Sequence, residues 1–165
     1  MFKRMTVHSL VVDPQSNTPI VILIDAAGDR HLPIWIGLLE ATSIATQLEK
    51  VNFPRPMTHD LMKNVFDQLK VTVDRVEVCD LRDNTYYALI HLRTDGETSR
   101  IDARPSDAIA IALRTGAPIY VKEEVLLKSA HRQDQTQTVF RKEDKDKIAE
   151  VLEQMAPEDF SKYKM

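Results

Sequence analysis

Ile101-Asp-Ala-Arg-Pro-Ser-Asp-Ala-Ile-Ala-Ile-Ala-Leu-Arg-Thr-Gly116 carries a strand end, a corner and an apolar helix in one run, and its reading decides the fold. A residue that precedes proline is pushed out of the helical region. Arg104 is therefore expected to be extended, with Pro105 in the first helical turn. The helix should run to Arg114 and end at Gly116, which can take the left-handed conformation. Ala108 to Leu113 leave little polar face, so this helix is expected to be buried. Asp102, Arg104, Ser106 and Asp107 then gather at its N-terminus, where backbone N–H groups favour anions.

Upstream, turn residues separate strand-length segments. Phe2 to Val12, Ile20 to Ile24 and His31 to Ile36 are broken by Asp13-Pro14 and Gly28, which predicts an antiparallel meander. Ile20 to Ile24 is continuously apolar and is expected to be buried on both faces. Gly37 opens a helix to about Lys50, with Ala41, Ile44, Ala45 and Leu48 on one stripe. Asn52-Phe-Pro-Arg-Pro56 stops it. Thr58 is the expected N-cap of a second helix whose Leu61, Met62, Val65, Phe66 and Leu69 form an apolar face. His59 and Asp60 fall opposite that face and are expected to be accessible.

Val71 to Cys79 has strand character, with a phase slip at Asp74-Arg75 that suggests a bulge. Asp83-Asn84 and Asp95-Gly96 turn it into two further strands, Tyr86 to Arg93 and Thr98 to Ala103. Pro118 to Val121 is a last strand, and Lys122 to Lys128 a short helix. The pattern predicts an α+β fold: a mixed, largely antiparallel sheet packed with about three helices, plus an accessory C-terminal helix. Residues 1–128 make one domain. Residues 129–165 read as a linker and an amphipathic helix on which Ile148, Val151, Leu152 and Met155 share a face.

Bulk properties narrow the function. A single cysteine, Cys79, rules out an internal disulfide framework and suits a reducing cytoplasm. No apolar run approaches the ~20 residues that cross a bilayer, so no membrane partner is expected. With net charge −3 and pI near 5.9, the chain lacks the basic footprint of a tight, non-specific nucleic-acid binder. Transient engagement at a local site remains compatible with those values. There is no P-loop, dinucleotide fingerprint or nucleophile elbow, so no nucleotide cofactor is expected. His8, His31, His91 and His131 show no ligand spacing, and Trp35 reads as core or interface.

Two readings of the polar residues stay open. Asp102 and Asp107, with Asp60 or Glu40, can supply oxygen ligands to Mg²⁺ or Mn²⁺, while Arg104 holds a phosphate oxygen. His59 can serve as general base or acid. Arg55, between Pro54 and Pro56, is well placed to present a cation. Alternatively, Ser106 and Asp107 merely satisfy the first turn of the helix and Arg104 pairs with an aspartate. Glu40 then complements a helix dipole, and His59 is an ordinary surface residue.

Three ordered segments resemble the bifunctional nuclease domain family, small proteins named for activity on both DNA and RNA. They are Leu32-Pro-Ile-Trp-Ile-Gly37 with Glu40-Ala41, then Pro54-Arg-Pro-Met-Thr-His-Asp-Leu61. The third is Ile101 to Ala110 with Ala117-Pro-Ile-Tyr-Val121. The resemblance runs from about Phe2 to Leu127 and leaves the final helix outside. It implies an α+β fold, a homo-oligomer with a dimer favoured, and nuclease activity. The positions that match its motifs are Glu40, Arg55, Thr58, His59, Asp60, Asp102, Arg104, Ser106 and Asp107.

The leading expectation is a metal-assisted phosphodiesterase. Asp102, Asp107, His59 and Glu40 would be catalytic, and Arg104, Arg55, Ser106 and Thr58 would bind substrate. Asp102, Asp107 and Asp60 would hold the metal. The rival is a non-enzymatic oligomeric binding or regulatory module in which the Asp-Ala-Arg-Pro-Ser-Asp motif is structural. Carboxylates that line an open cleft favour the enzyme, and carboxylates turned inward onto arginines favour the rival.

Overall fold

The computed structural model describes residues 1–133. The elements follow the chain as β1 (Phe2–Val12), β2 (Pro19–Asp25), β3 (His31–Trp35), α1 (Leu38–Leu48) and α2 (Thr58–Gln68). After them come β4 (Thr72–Arg82), β5 (Thr85–Thr94), β6 (Glu97–Ala103), α3 (Pro105–Thr115), β7 (Ile119–Lys122) and α4 (Glu123–Gln133). Seven strands form one sheet in the order β3-β2-β1-β7-β4-β5-β6. Two antiparallel meanders, β1–β3 and β4–β6, are joined by β7, which runs antiparallel to β1 and parallel to β4. The α+β architecture is as the sequence predicts. The amphipathic segment marked by Ile148 to Met155 lies outside the described residues.

Turn chemistry fixes the second meander. Asp83 and Asn84 both take positive φ (45° and 65°), as do Asp95 and Gly96 (51° and 84°). Two successive positive-φ residues match the right-handed twist of the strands they connect. The phase slip at Asp74-Arg75 is a register shift between Val73 and Arg75. At the corner, Arg104 is extended (φ −68°, ψ 144°), Pro105 occupies the first turn, and Gly116 closes the helix at φ 74°.

The core gathers side chains from both meanders, α1 and α3. Val21, Leu23, Ile44, Val76, Ile109, Ile111 and Val121 are essentially without solvent contact. Burying each such side chain contributes roughly 1.5–3 kcal/mol. The sheet curls enough for the Tyr86 hydroxyl on β5 to donate to the Pro33 carbonyl on β3, at 3.2 Å. Strands far apart in the sheet order thus approach each other, and α1 and α3 pack together on the sheet.

Two sequence expectations change at α2. Its first residue is Thr58, and Met57 is the N-cap, with the Met57 N–H donating to the Asp60 carboxylate at 3.1 Å. Asp60 thus reaches back to the N-cap N–H, while Thr58 lies inside the first turn and is not the cap. More importantly, the helix has no buried residue, and Leu61, Met62, Val65 and Leu69 are 39–63% exposed. Phe66 alone from this helix packs against the core. The apolar face points outward, and His59 and Asp60 point in.

Burial therefore separates the helices energetically. Ile109→Ala should cost about 2–5 kcal/mol by urea denaturation, the range for a large-to-small change in a closed core. Leu61→Ala, on the open face of α2, should change the unfolding of the monomer by less than ~0.5 kcal/mol.

Candidate functional site

The corner at Arg104 faces the start of α1. Gly37 is the N-cap of α1, and a Cβ there would collide with the carboxylate of Glu40. The bare glycine lets that carboxylate lie against the helix end, where the dipole favours it. Arg104 Nη1 donates to Glu40 Oε1 at 2.8 Å. The same guanidinium grips Asp107 through Nε (2.7 Å to Oδ2) and Nη2 (3.1 Å to Oδ1). Both carboxylates hold the guanidinium more strongly protonated than usual, Asp107 more than Glu40.

Asp107 reaches a third partner. His59 Nε2 lies 2.8 Å from Asp107 Oδ1, and the other ring nitrogen, Nδ1, lies 2.7 Å from Ser43 Oγ on α1. Burial opposes ionisation of Asp107, but hydrogen bonds from Arg104 and His59 outweigh it and hold the carboxyl below its ordinary range. An ionised Asp107 can only accept, so the neutral ring carries its proton on Nε2. Nδ1 then accepts from the Ser43 hydroxyl.

A second ion pair lies one step deeper. Arg114, near the end of α3, has a side chain 4% exposed. It donates to Asp60 Oδ1 (2.7 Å), to the Ser43 carbonyl (3.0 Å) and to the Ala110 carbonyl (3.0 Å). Burial works against ionisation of Asp60, yet the bonds from Arg114 and the Met57 N–H outweigh it and lower its carboxyl. Three carboxylates, two guanidinia and one imidazole from α1, α2 and α3 thus form one network.

A cleft of about 250 Å³ opens beside Arg104, lined among others by Trp35, Glu40, Asn84, Tyr86, Arg104 and Ser106. Trp35 is 43% exposed and is tethered by its indole N–H to Asp13 at 3.3 Å, so it forms a wall and not core. Ser106 is buried in the first turn of α3.

The structure brings together Glu40, His59, Arg104 and Asp107, with Asp60 joined through Arg114 and Ser106 on the cleft wall. His59 is not a free surface residue as its helix position suggested, since its side chain is only 13% exposed. Thr58 is exposed in the first turn of α2. Arg55 is exposed on the preceding loop and makes no ion pair among the described residues. Asp102 does not join Asp107. Ala103 lies opposite Ala88 and Val78 on the helix-covered side, so strand alternation turns Asp102 to the other face, beside Leu89 and Glu77. Ser43 and Arg114 are the residues that sequence reasoning missed. A serine one turn after Glu40 was the only trace of the first, and Arg114 looked like an ordinary last-turn cation.

The fit to a divalent ion is poor. Among the described residues no three His, Cys, Asp or Glu side chains gather closely enough to hold a metal. Asp102 is on the far face, Asp60 is taken by Arg114, and Arg104 fills the space between Glu40 and Asp107.

The Asp60–Arg114 pair should be visible in stability. Because the folded carboxyl is lowered, its contribution is complete above the unfolded carboxyl range near pH ~4 and is lost as pH falls through the folded value. Asp60→Asn should cost roughly 1–3 kcal/mol at pH 7, since it leaves a buried guanidinium short of its counterion while Asp60 itself is partly exposed. Denaturant titrations of wild type and variant should converge as the pH is taken below 4.

The model of the bifunctional nuclease domain matches residues 21–134 of the chain. An uncharacterized protein of Mycobacterium tuberculosis is 40% identical over 163 residues, covering 95% of this chain and 97% of its own length. Bifunctional nuclease 1 of Oryza sativa is 28% identical over 116 residues, and bifunctional nuclease 2 of Arabidopsis thaliana 28% over 110. These cover 68% and 65% of this chain, but only 35% and 33% of the plant proteins. The family match begins in β2 and extends through α4, more than half of the sequence, and the chain belongs to the bifunctional nuclease domain family.

Proposed function

We propose that this chain hydrolyses phosphodiester bonds in DNA and RNA at the Glu40–Arg104–Asp107–His59 cluster. The observation that carries the reading is the state of Arg104. Its side chain is 64% exposed at the mouth of the cleft, and its planar group is fixed on two sides by carboxylates. Of the five N–H groups of a guanidinium, those bonds use three. Among the described residues nothing takes the one that remains on each terminal nitrogen, and both suit the oxygens of a phosphodiester without loss of either ion pair. His59 shares Asp107 with this arginine and takes the proton of the attacking water.

Arg104 supplies the positive charge expected of Mg²⁺ or Mn²⁺. Arg55 adds a second cation on the loop that enters α2. Local charge is otherwise unfavourable, since three carboxylates face two guanidinia, which suits transient engagement over tight binding. A binding or regulatory module is the second reading. It is favoured by one observation, that each carboxylate of the network already has an arginine partner.

The outward apolar face of α2 (Leu61, Met62, Val65 and Leu69) supports self-association, with a dimer as the expected state. No helix among the described residues is long and apolar enough to cross a membrane. Cys79 is half-buried and in no disulfide, and a single cysteine suits the reducing cytoplasm as the place of action.

Purified protein should cleave labelled single-stranded DNA and RNA, and should do so in EDTA. Arg104→Ala and His59→Asn should each lower kcat/KM by roughly 10²–10⁴-fold. Equal residual cleavage by wild type and both variants would identify a contaminant, and the module reading would replace this one. In sedimentation velocity, Leu61→Asp/Val65→Asp should shift a dimer to monomer; an unchanged mass would rule out this face as the interface.

A further inference from the structure

The geometry points to Ser43 as the nucleophile, attacking phosphorus directly and forming a transient phosphoserine. This rests on the phosphodiesterase reading above and replaces a directly attacking water. A helical serine ordinarily returns its hydroxyl to a carbonyl one turn back. Ser43 instead aims it 2.7 Å from His59 Nδ1, across the gap between α1 and α2. The opposite nitrogen of that ring meets Asp107 at 2.8 Å. Asp107 fixes the tautomer, which leaves Nδ1 as the acceptor and the serine proton as the one it takes. This is the nucleophile–base–orienter relation of acyl- and phosphoryl-transfer sites, with the roles of the ring nitrogens exchanged relative to the serine proteases.

The cation is placed to match. Glu40 precedes Ser43 by one helical turn on α1, so both side chains lie along the same flank. Arg104 bonds Glu40 at one end and Asp107 at the other, and so bridges back to the base. Ser43, His59, Asp107, Arg104 and Glu40 are joined in series, and the two ends of the series, Ser43 and Glu40, are one turn of α1 apart. Ser43 retains partial solvent contact, unlike Ile44 and Ala45 beside it.

The chemistry balances without a co-reactant other than water. Ser43 Oγ bonds to phosphorus and its proton passes to His59 Nδ1. The bond from phosphorus to the departing sugar oxygen breaks, and that oxygen takes the proton from His59. Water then attacks the phosphoserine, gives its proton to His59, and the proton returns to Ser43 Oγ as the P–Oγ bond breaks. Asp107 acts only as a positioning residue for the ring.

The stereochemistry of the wild-type reaction tests this with no risk of misfolding. A dinucleotide with a chiral phosphorothioate, cleaved in isotopically labelled water, should give retention at phosphorus, because two displacements each invert. Inversion would overturn the proposal and leave the nuclease reading intact. Independently, diisopropyl fluorophosphate should modify Ser43, seen as a mass increment on its peptide, and His59→Asn should abolish the adduct. An adduct on a protein that cuts no nucleic acid would uphold the nucleophile and refute the nuclease reading. Absence of both adduct and cleavage would refute the nucleophile. Ser43→Ala, with its fold checked by circular dichroism, should lose at least ~10³-fold in kcat with KM little changed. Turnover within tenfold of wild type would overturn the assignment.

Discussion

Arg114 is the point on which the arrangement of the three helices turns. Its guanidinium is almost fully enclosed and draws together Asp60 of α2, a carbonyl of α1 and a carbonyl of its own helix. An unpaired charge in such a place would be untenable, so Asp60 must stay near and α2 must stay with it. Apolar burial gives α2 little, because Phe66 alone meets the core. The helix is held by its polar edge, at Asp60 and at His59, and the same attachment turns Leu61, Met62, Val65 and Leu69 to the outside. Site geometry and surface character therefore have one cause.

The sheet sets where that attachment can form. α1 leaves from β3 at one edge and α3 leaves from β6 at the other, positions separated by the whole strand order. Curling of the sheet brings β3 and β5 together, and both helices lie back over the same core. Glu40 in the first turn of α1 and Arg104 at the cap of α3 consequently meet although they follow opposite edge strands. The cleft beside them is what the curled edges leave open, which is why β3 and the β4–β5 turn both line it. A local motif of six residues thus gains partners more than forty positions away.

Local chemistry made much of this legible in the sequence. The hairpin turns, the extended Arg104, the buried α3 and its Gly116 stop all follow from φ preferences and apolar spacing, which act within a few residues. The motifs also singled out Glu40, His59, Arg104 and Asp107. What stayed hidden depends on orientation between elements. Periodicity shows that α2 has an apolar face, but a buried ion pair elsewhere decides whether that face turns in. Ser43 reads as one more polar residue on a helix until His59 is opposite it. Asp102 and Asp107 look like a pair because they are close in sequence. The boundary between β6 and α3 lies between them, and strand alternation sends the first to the other side of the sheet.

Arginine at the centre of this cluster has consequences that a divalent ion there would not. Mg²⁺ requires several oxygens converging at about 2 Å in near-octahedral order. Glu40 and Asp107 instead meet the two sides of a planar group, and the group keeps N–H donors directed elsewhere. Lysine could replace the charge but not the geometry, since a point charge cannot span two carboxylates in fixed planes. The carboxylates do two things at once: they lock the guanidinium in place, and Asp107 passes the constraint on to His59. Orientation of the base and orientation of the cation are therefore not independent, and a single carboxylate couples the group that moves the proton to the group that holds the charge.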